Sequence, residues 1–159
     1  ADLIGVSEAL ADGYNVSALC GKKVVKNTDS DMTYTGSYWM SAVPFAAGIA
    51  CINKMKRLNL PALLMEKGRK LTDGLVKIAA EEGFHLVVSG APSLFYLRTA
   101  DDDSLMLHQA YIAEMVRRGV FMTNHHNHFI NASLSDEDIA YTWQVASEAW
   151  AAVKEKRGE

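Results

Sequence analysis

The chain has 159 residues, 49% of them apolar and 22% charged, which is the size and composition of one globular domain with a hydrophobic core. Its formal net charge is −3, so the composition excludes strong electrostatic binding of nucleic acid or of an anionic membrane. No apolar run reaches the ~20 residues of a membrane span and no secretory signal opens the chain, so we expect a cytoplasmic protein whose partners are small molecules or proteins.

The first segment, GVSEALADGYNVSALCGKK at residues 5–23, has the pattern of a strand, a polar turn containing glycine, and a second strand. Turns of this kind often carry a catalytic side chain. The candidates here are Ser7, Glu8 and Asp12, with Tyr14 behind them. No histidine lies nearby in the sequence to activate the serine, so the residues alone leave open which of these side chains is active.

Two cysteines, Cys20 and Cys51, lie in apolar stretches of sequence and lack CxxC spacing. Such a pattern is typical of free thiols in a reducing compartment. We therefore expect two buried free cysteines rather than a disulfide or a pair of metal ligands.

A hydroxyl-rich segment at residues 27–41 precedes a predicted helix over 42–58. Residues just before a helix lie next to free backbone amides and the positive end of the helix dipole, which favour an anion such as phosphate. The residues in this position are Thr35, Gly36, Ser37 and Tyr38. No P-loop pattern is present, so the alternative of a solvated loop that caps the helix remains open.

Three further helices and two strand pairs are predicted downstream, from helical and alternating apolar spacing. The last helix has an acidic, capping-box-like start. In chain order these elements are a helix from Pro61 to Gly83, two strands within 84–100, a helix over 104–118, strands at VFMT and HFINA, and a helix that begins at Ser135.

These elements divide the chain after residue 83. Residues 84–159 form a β-β-α-β-β-α order, which predicts a small antiparallel sheet with helices on one face. Residues 1–83 contain two strands and two long helices, which need more sheet to cover than they possess. Because the chain also opens without an initiator Met, we expect this part to complete something larger, in another chain or in a missing segment.

Two other groups of side chains are candidates for chemistry. In an extended strand His126 and His128 face one side and His125 the other, so at most two imidazoles converge and a polar strand is favoured over a metal site. Arg98 could clamp a carboxylate through its bidentate fork, but pairing with the neighbouring residues Asp101 to Asp103 is favoured.

Three segments share their order and spacing with one family. VSEALADGYNVSALCGKKVV resembles the family segment S-K-A-L-A-N-G-Y-P, which is followed by a strand and G-K or G-R. YTGSYWMSAVPFAAGIACINKM is similar to the family's hydroxyl loop and Ala-rich helix, and MVRRGVFMTNHHNHFINASLSDEDIAYTW resembles its C-terminal domain. The whole chain thus resembles the C-terminal part of class III pyridoxal-phosphate aminotransferases, in the branch like glutamate semialdehyde aminomutase.

The resemblance implies a mixed α/β and α+β fold. Residues 1–83 would be the C-terminal part of a fold-type I large domain, which binds the cofactor, and residues 84–159 the small α+β domain with an antiparallel sheet. In the family, the lysine of S-K-A-L forms the Schiff base with pyridoxal phosphate, because an amine can condense with the aldehyde. Glu8 stands at that position here, and a carboxylate cannot make this bond.

The hydroxyl loop matches the family better. Members use a Ser or Thr of this loop to reach the phosphate of a cofactor bound by the neighbouring subunit, and Ser37 is the best match, with Thr35 and Gly36 beside it. The family's other cofactor contacts, which are an Asp, a stacking aromatic and a Gly/Ser phosphate loop, precede the matched region.

We therefore expect a truncated, aminotransferase-like protein that lacks transaminase activity, binds no pyridoxal phosphate and forms a homodimer. Two alternatives stay open. The chain could be a fragment of an active aminotransferase or aminomutase acting on a small amino or oxo acid, or an oligomeric binding protein. Its exposed large-domain helices favour the dimer in each case.

Overall fold

The computed structural model describes residues 1–25, 33 and 35–158, so part of the hydroxyl-rich segment, residues 27–32 and 34, lies outside the described residues. The chain forms two compact units, Ala1–Asn59 and Leu60–Glu159. The fold is mixed α/β, as the sequence predicts. No helix in the described ranges is long and apolar enough to cross a membrane.

The first unit begins with an antiparallel strand pair. Strand β1 (Leu3–Val6) pairs with β2 (Ala18–Gly21), which confirms the predicted order of strand, turn and strand. After β2, Lys23–Val25 form one 3₁₀ turn, in which the amide of Val25 donates to the carbonyl of Lys22 at 3.0 Å.

Helix α1 (Ala42–Arg57) completes the first unit and matches the predicted range of 42–58. Its buried residue is Gly48, where an added Cβ would lie 3.6 Å from the carbonyl oxygen of Leu10. Helix α1 therefore packs closely against the turn that joins the two strands, at a distance that would still admit a Cβ at Gly48.

The second unit is a three-stranded antiparallel sheet with helices against it. Its order is β3-β4-β5. In chain order its elements are α2 (Leu60–Glu81), β3 (Leu86–Ala91), β4 (Leu94–Thr99), α3 (Met106–Arg117), β5 (His128–Phe129) and α4 (Asp136–Arg157).

The core of the second unit lies between the helices and one face of the sheet. Phe95, Leu97 and Thr99 of β4 are buried, whereas Arg98 is exposed, so alternate residues separate a covered face from an open one. Trp150 of α4 is fully buried. Its ring stacks on Tyr111 at a centroid distance of 3.9 Å and on Phe84 at 4.4 Å.

The predicted start of α4 is confirmed as a capping box. The amide of Asp138 donates to the Ser135 hydroxyl at 3.0 Å, and the amide of Ser135 donates to an Asp138 carboxylate oxygen at 2.8 Å. Two otherwise unpaired backbone donors are thereby satisfied.

One predicted strand pair is wrong. Residues 120–123 form no strand, and of the second predicted strand only His128–Phe129 pair with β4. The backbone donors of this segment are used elsewhere. The amide of Val120 closes the end of α3 on the carbonyl of Met115 at 3.1 Å, and the amide of Thr123 donates to the His128 ring at 3.3 Å.

In the chain, the first compact unit ends at Asn59 and the second begins at Leu60. Helix α2 packs with the second unit, where the Trp143 indole of α4 donates to the carbonyl of Leu71 at 3.1 Å. Asn59 has a φ of 45°, a conformation that ends α1 before α2 begins. The division into a large-domain part and a small domain stays a prediction.

Candidate functional site

Glu8 lies in the turn between β1 and β2. At the start of the turn, the amide of Leu10 donates a hydrogen bond to the carbonyl of Ser7 at 2.7 Å. At its end, Asp12 and Gly13 have φ of 44° and 105°. Glu8 is exposed and makes no hydrogen bond or ion pair within the described parts of the chain. Its carboxylate is thus presented on the surface of the turn.

Helix α1 packs against this turn through side-chain and backbone contacts. In addition to the contact at Gly48, the Cys51 thiol donates to the carbonyl of Ala9 at 3.4 Å. The prediction of two buried cysteines is wrong. Both are free thiols, but Cys20 is exposed and Cys51 only partly buried, because no described element covers β2 on the side of Cys20.

Two depressions in the surface of the first unit contain the residues singled out in the sequence. The first, of about 320 Å³, is lined by Ser7, Glu8 and Ser17 together with strand residues. The second, of about 440 Å³, is lined by Gly36 and Ser37 and also by Ser17. Ser17 therefore borders both depressions, so the structure brings the Glu8 turn and the hydroxyl loop to adjoining surfaces.

The second depression combines polar and aromatic groups. Its other polar residues are Asn15 and Ser41, and its aromatic rim includes Tyr38, Trp39 and Phe45. Ser41 is the N-cap of α1, yet its side chain makes no capping hydrogen bond. The first backbone N–H groups of α1 therefore receive no hydrogen bond from the Ser41 hydroxyl. Together with the polar side chains of the depression, these N–H donors suit a small anion.

The predicted residues are not all brought together. Thr35 is exposed and does not line the second depression, and Asp12 and Tyr14 are exposed outside the first. Asn15 and Ser17 line the second depression and were missed. In the sequence, the only sign that Asn15 and Ser17 belong to a site was their polarity directly after the Gly13 turn. Their closeness to residues 36–41 depends on the packing of α1, which the sequence does not show.

The three imidazoles of the histidine-rich segment lie in different surroundings. His125 and His126 are exposed, while the ring of His128 stacks on Phe95 at a centroid distance of 5.1 Å. Among the described residues, no group of three or more His, Cys, Asp or Glu side chains is placed to hold a metal ion.

The favoured pairing of Arg98 with the following aspartates is not found in the described residues. Asp102 instead accepts from the Ser104 hydroxyl at 2.9 Å and from the amide of His108 at 2.8 Å. Its carboxylate is thereby used at the start of α3, while Arg98 lies exposed on β4.

No family model matches the chain. It is 30% identical over 152 residues to an aminopentol aminotransferase of Sphingopyxis macrogoltabida and 29% identical over 157 residues to a 3-aminobutyryl-CoA aminotransferase of Cloacimonas acidaminovorans. Both alignments cover 96% of the chain, but 36% and 38% of the relatives. A glutamate-1-semialdehyde 2,1-aminomutase of Caldivirga maquilingensis is 26% identical over 172 residues, covering 98% of the chain and 40% of the relative.

Solved structures show the same correspondence. The pyridoxal-phosphate internal-aldimine form of the FumI protein of Sphingopyxis sp. MTA144 is 28% identical and superposes with a TM-score of 0.93. The match covers 99% of the chain and 38% of that protein. An omega-transaminase of Sphaerobacter thermophilus shares the fold over 96% of the chain, with a TM-score of 0.82 and 17% sequence identity. The match covers 39% of that transaminase.

The alignments thus run through both units, and the chain spans 36% to 40% of the length of the relatives it matches. The strand–turn–strand, the following helix and the small antiparallel sheet all occur in the order that the resemblance implied. By sequence and by fold, the chain is similar to the class III pyridoxal-phosphate-dependent aminotransferases and corresponds to the C-terminal part of their fold.

Proposed function

We propose that this 159-residue chain is an aminotransferase-like protein without transaminase activity of its own. The observation that carries the proposal is the carboxylate of Glu8, which the resemblance aligns with the Schiff-base lysine of the family. Transamination needs an amine at this point, because an amine condenses with the cofactor aldehyde to form the Schiff base, which a carboxylate cannot form.

The described residues fit only one end of pyridoxal phosphate. The depression lined by Ser37, Ser41 and Asn15 offers hydroxyl and amide donors beside a helix N-terminus, which suits the phosphate group. The depression at Glu8 does not suit the aldehyde end, because an exposed carboxylate supplies no nucleophilic nitrogen and repels the negatively charged phosphate. We infer that the chain alone does not bind the cofactor tightly.

The experiment that tests this proposal is trapping with borohydride. The purified chain is mixed with pyridoxal phosphate, reduced, digested and analysed by mass spectrometry, with a lysine-containing relative treated in parallel. We expect no visible absorbance band from a Schiff base and no reduced adduct on any lysine of the first unit, including Lys22 and Lys23. A stoichiometric adduct at one lysine would overturn the proposal.

The second candidate is that the same residues are one part of a longer, active aminotransferase or aminomutase that acts on a small amino or oxo acid. It is favoured by the high structural similarity to FumI over 99% of the chain. Sequencing the gene upstream of the codon for Ala1 decides between the two. An open reading frame that supplies the family's Asp and stacking aromatic supports the longer enzyme.

We further infer that the chain forms an oligomer, with a homodimer as the simplest form. Large apolar side chains are exposed on the first unit, a feature that commonly marks a surface covered by a partner. They include Leu3, Ile4, Leu19, Trp39, Phe45 and Ile49. The free thiols of Cys20 and Cys51 support a reducing compartment, so we place the protein in the cytoplasm.

A further inference from the structure

The connection between β4 and α3, residues 100–105, holds two residues in an unfavourable conformation. Asp101 and Leu105 have φ of 57° and 60°, the left-handed region in which a Cβ crowds the backbone. Leu105 is also the N-cap of α3 and offers no side-chain oxygen to cap it. Contacts elsewhere must therefore hold this connection in place.

Two polar residues supply those contacts. Asp102 is buried, and its carboxylate accepts from the Ser104 hydroxyl at 2.9 Å and from the amide of His108 at 2.8 Å. The His108 side chain is 1% exposed, and its Nδ1 lies 3.3 Å from the Thr99 hydroxyl of β4. His108 therefore joins the start of α3 to the end of the strand.

The other ring nitrogen of His108 has no partner in the described part of the chain. Nε2 is buried and makes no hydrogen bond to any described residue. A neutral imidazole carries one N–H, whereas an imidazolium carries two. The Thr99 hydroxyl can accept one of them, so a second N–H would be left in the core together with a positive charge, which is strongly unfavourable.

The surrounding charges do not compensate for this burial. Burial is the main cause that lowers the pKa of His108, and the Asp102 carboxylate opposes it. Arg98 on β4, together with His125 and His128 beyond α3, lowers the pKa of His108 further. The folded unit thus keeps His108 neutral at a pH where an exposed histidine is already protonated.

We propose that the 100–105 connection and the first turn of α3 form an acid-sensitive latch, which opens from β4 when His108 takes up a proton. The open form has an exposed imidazole with the ordinary pKa of about 6.5, above that of the closed form. The free energy that favours the closed form is therefore at its full value above about pH 6.5 and decreases as the pH falls below 6.5. Uptake of one proton on opening changes the equilibrium about tenfold per pH unit.

Hydrogen exchange followed by mass spectrometry tests the latch on the whole chain. Exchange is measured at several pH values between 5 and 7.5, and rates are corrected for the intrinsic pH dependence of amide exchange. We expect peptides that cover 99–110 to lose protection by up to about tenfold per pH unit below 6.5. Peptides from the buried part of α4 should change less.

His108→Asn removes the titrating group, and its 99–110 peptides should show no such pH dependence. His125→Asn is the matched control, because His125 is exposed and should leave the dependence of the wild type in place. If hydrogen exchange in these peptides depends equally on pH in the wild type and in His108→Asn, the proposal is overturned. If His108→Asn does not fold, NMR titration of the wild-type imidazole decides, since a His108 pKa at or above 6.5 also overturns it.

Discussion

At the scale of single residues, Glu8 differs from lysine in both charge and reactivity. Glu8→Lys restores the amine on a turn whose shape is already set by Asp12, Gly13 and the contact with α1. We still expect no tight binding of pyridoxal phosphate, because the resemblance assigns the remaining cofactor contacts of the family to a region before the matched segments. Equilibrium dialysis measures this, with Glu8→Gln as the control for loss of charge. Retention of stoichiometric cofactor by Glu8→Lys would contradict the expectation.

Glu114 is the most strongly paired carboxylate of the second unit. It is 4% exposed and contacts Lys156, Arg118 and Arg117. Hydrogen bonds from Lys156 and Arg118 are the main causes that lower its pKa to about 2. Because the pKa is depressed in the folded state, this stabilisation is present above the ordinary value near 4.5 and is lost as the pH falls towards 2.

We therefore expect Glu114→Gln to lower the free energy of unfolding by about 2 kcal/mol at neutral pH. The difference from wild type should shrink as the pH falls below 4.5. Urea unfolding at pH 7 and pH 3 measures both effects. The control is Glu148→Gln, since Glu148 is half exposed and lies 3.7 Å from Arg118, an arrangement worth below about 1 kcal/mol. Equal losses in the two variants would contradict the prediction.

At the scale of elements, the junction of α2 and α4 depends on Gly74. An added Cβ at Gly74 would lie 2.1 Å from Nε1 of Trp143, whose indole is fixed by its hydrogen bond to Leu71. Gly74→Ala improves helix propensity by about 1 kcal/mol, but the overlap costs about 1 to 3 kcal/mol and should dominate.

We expect Gly74→Ala to lower the urea midpoint, and Asp73→Ala, at an exposed neighbouring position of the same helix, to leave it unchanged or raise it. The tryptophan emission spectrum of Gly74→Ala should also shift as Trp143 is displaced. An unchanged midpoint for Gly74→Ala would mean that α2 and α4 separate at little cost.

At the scale of the whole molecule, many large apolar side chains are exposed on the first unit, and this exposure predicts self-association. Ile49 on α1 is 63% exposed, and Val116 on α3 is 43% exposed. If the first unit forms the contact, Ile49→Asp should shift the sedimentation velocity distribution towards monomer, whereas Val116→Asp should not. A wild-type chain that remains monomeric at the highest measurable concentration would contradict the oligomer.

The local pattern of the sequence was sufficient for most elements. The spacing of apolar residues predicted α1, α2, α3 and α4, and the S-x-x-D start of α4 predicted the observed capping box at Ser135. These signals are local, because helix periodicity and capping involve residues only three or four positions apart. For the same reason the turn that carries Glu8 was recognisable from its own residues.

What the sequence by itself determined is therefore the order and type of most elements and the resemblance to class III aminotransferases. Only the tertiary structure decided that α2 belongs with the second unit, that residues 120–123 form no strand, and that Ser17 lies between the Glu8 turn and Ser37. Each of these depends on contacts between residues far apart in the chain, which no short segment of sequence encodes.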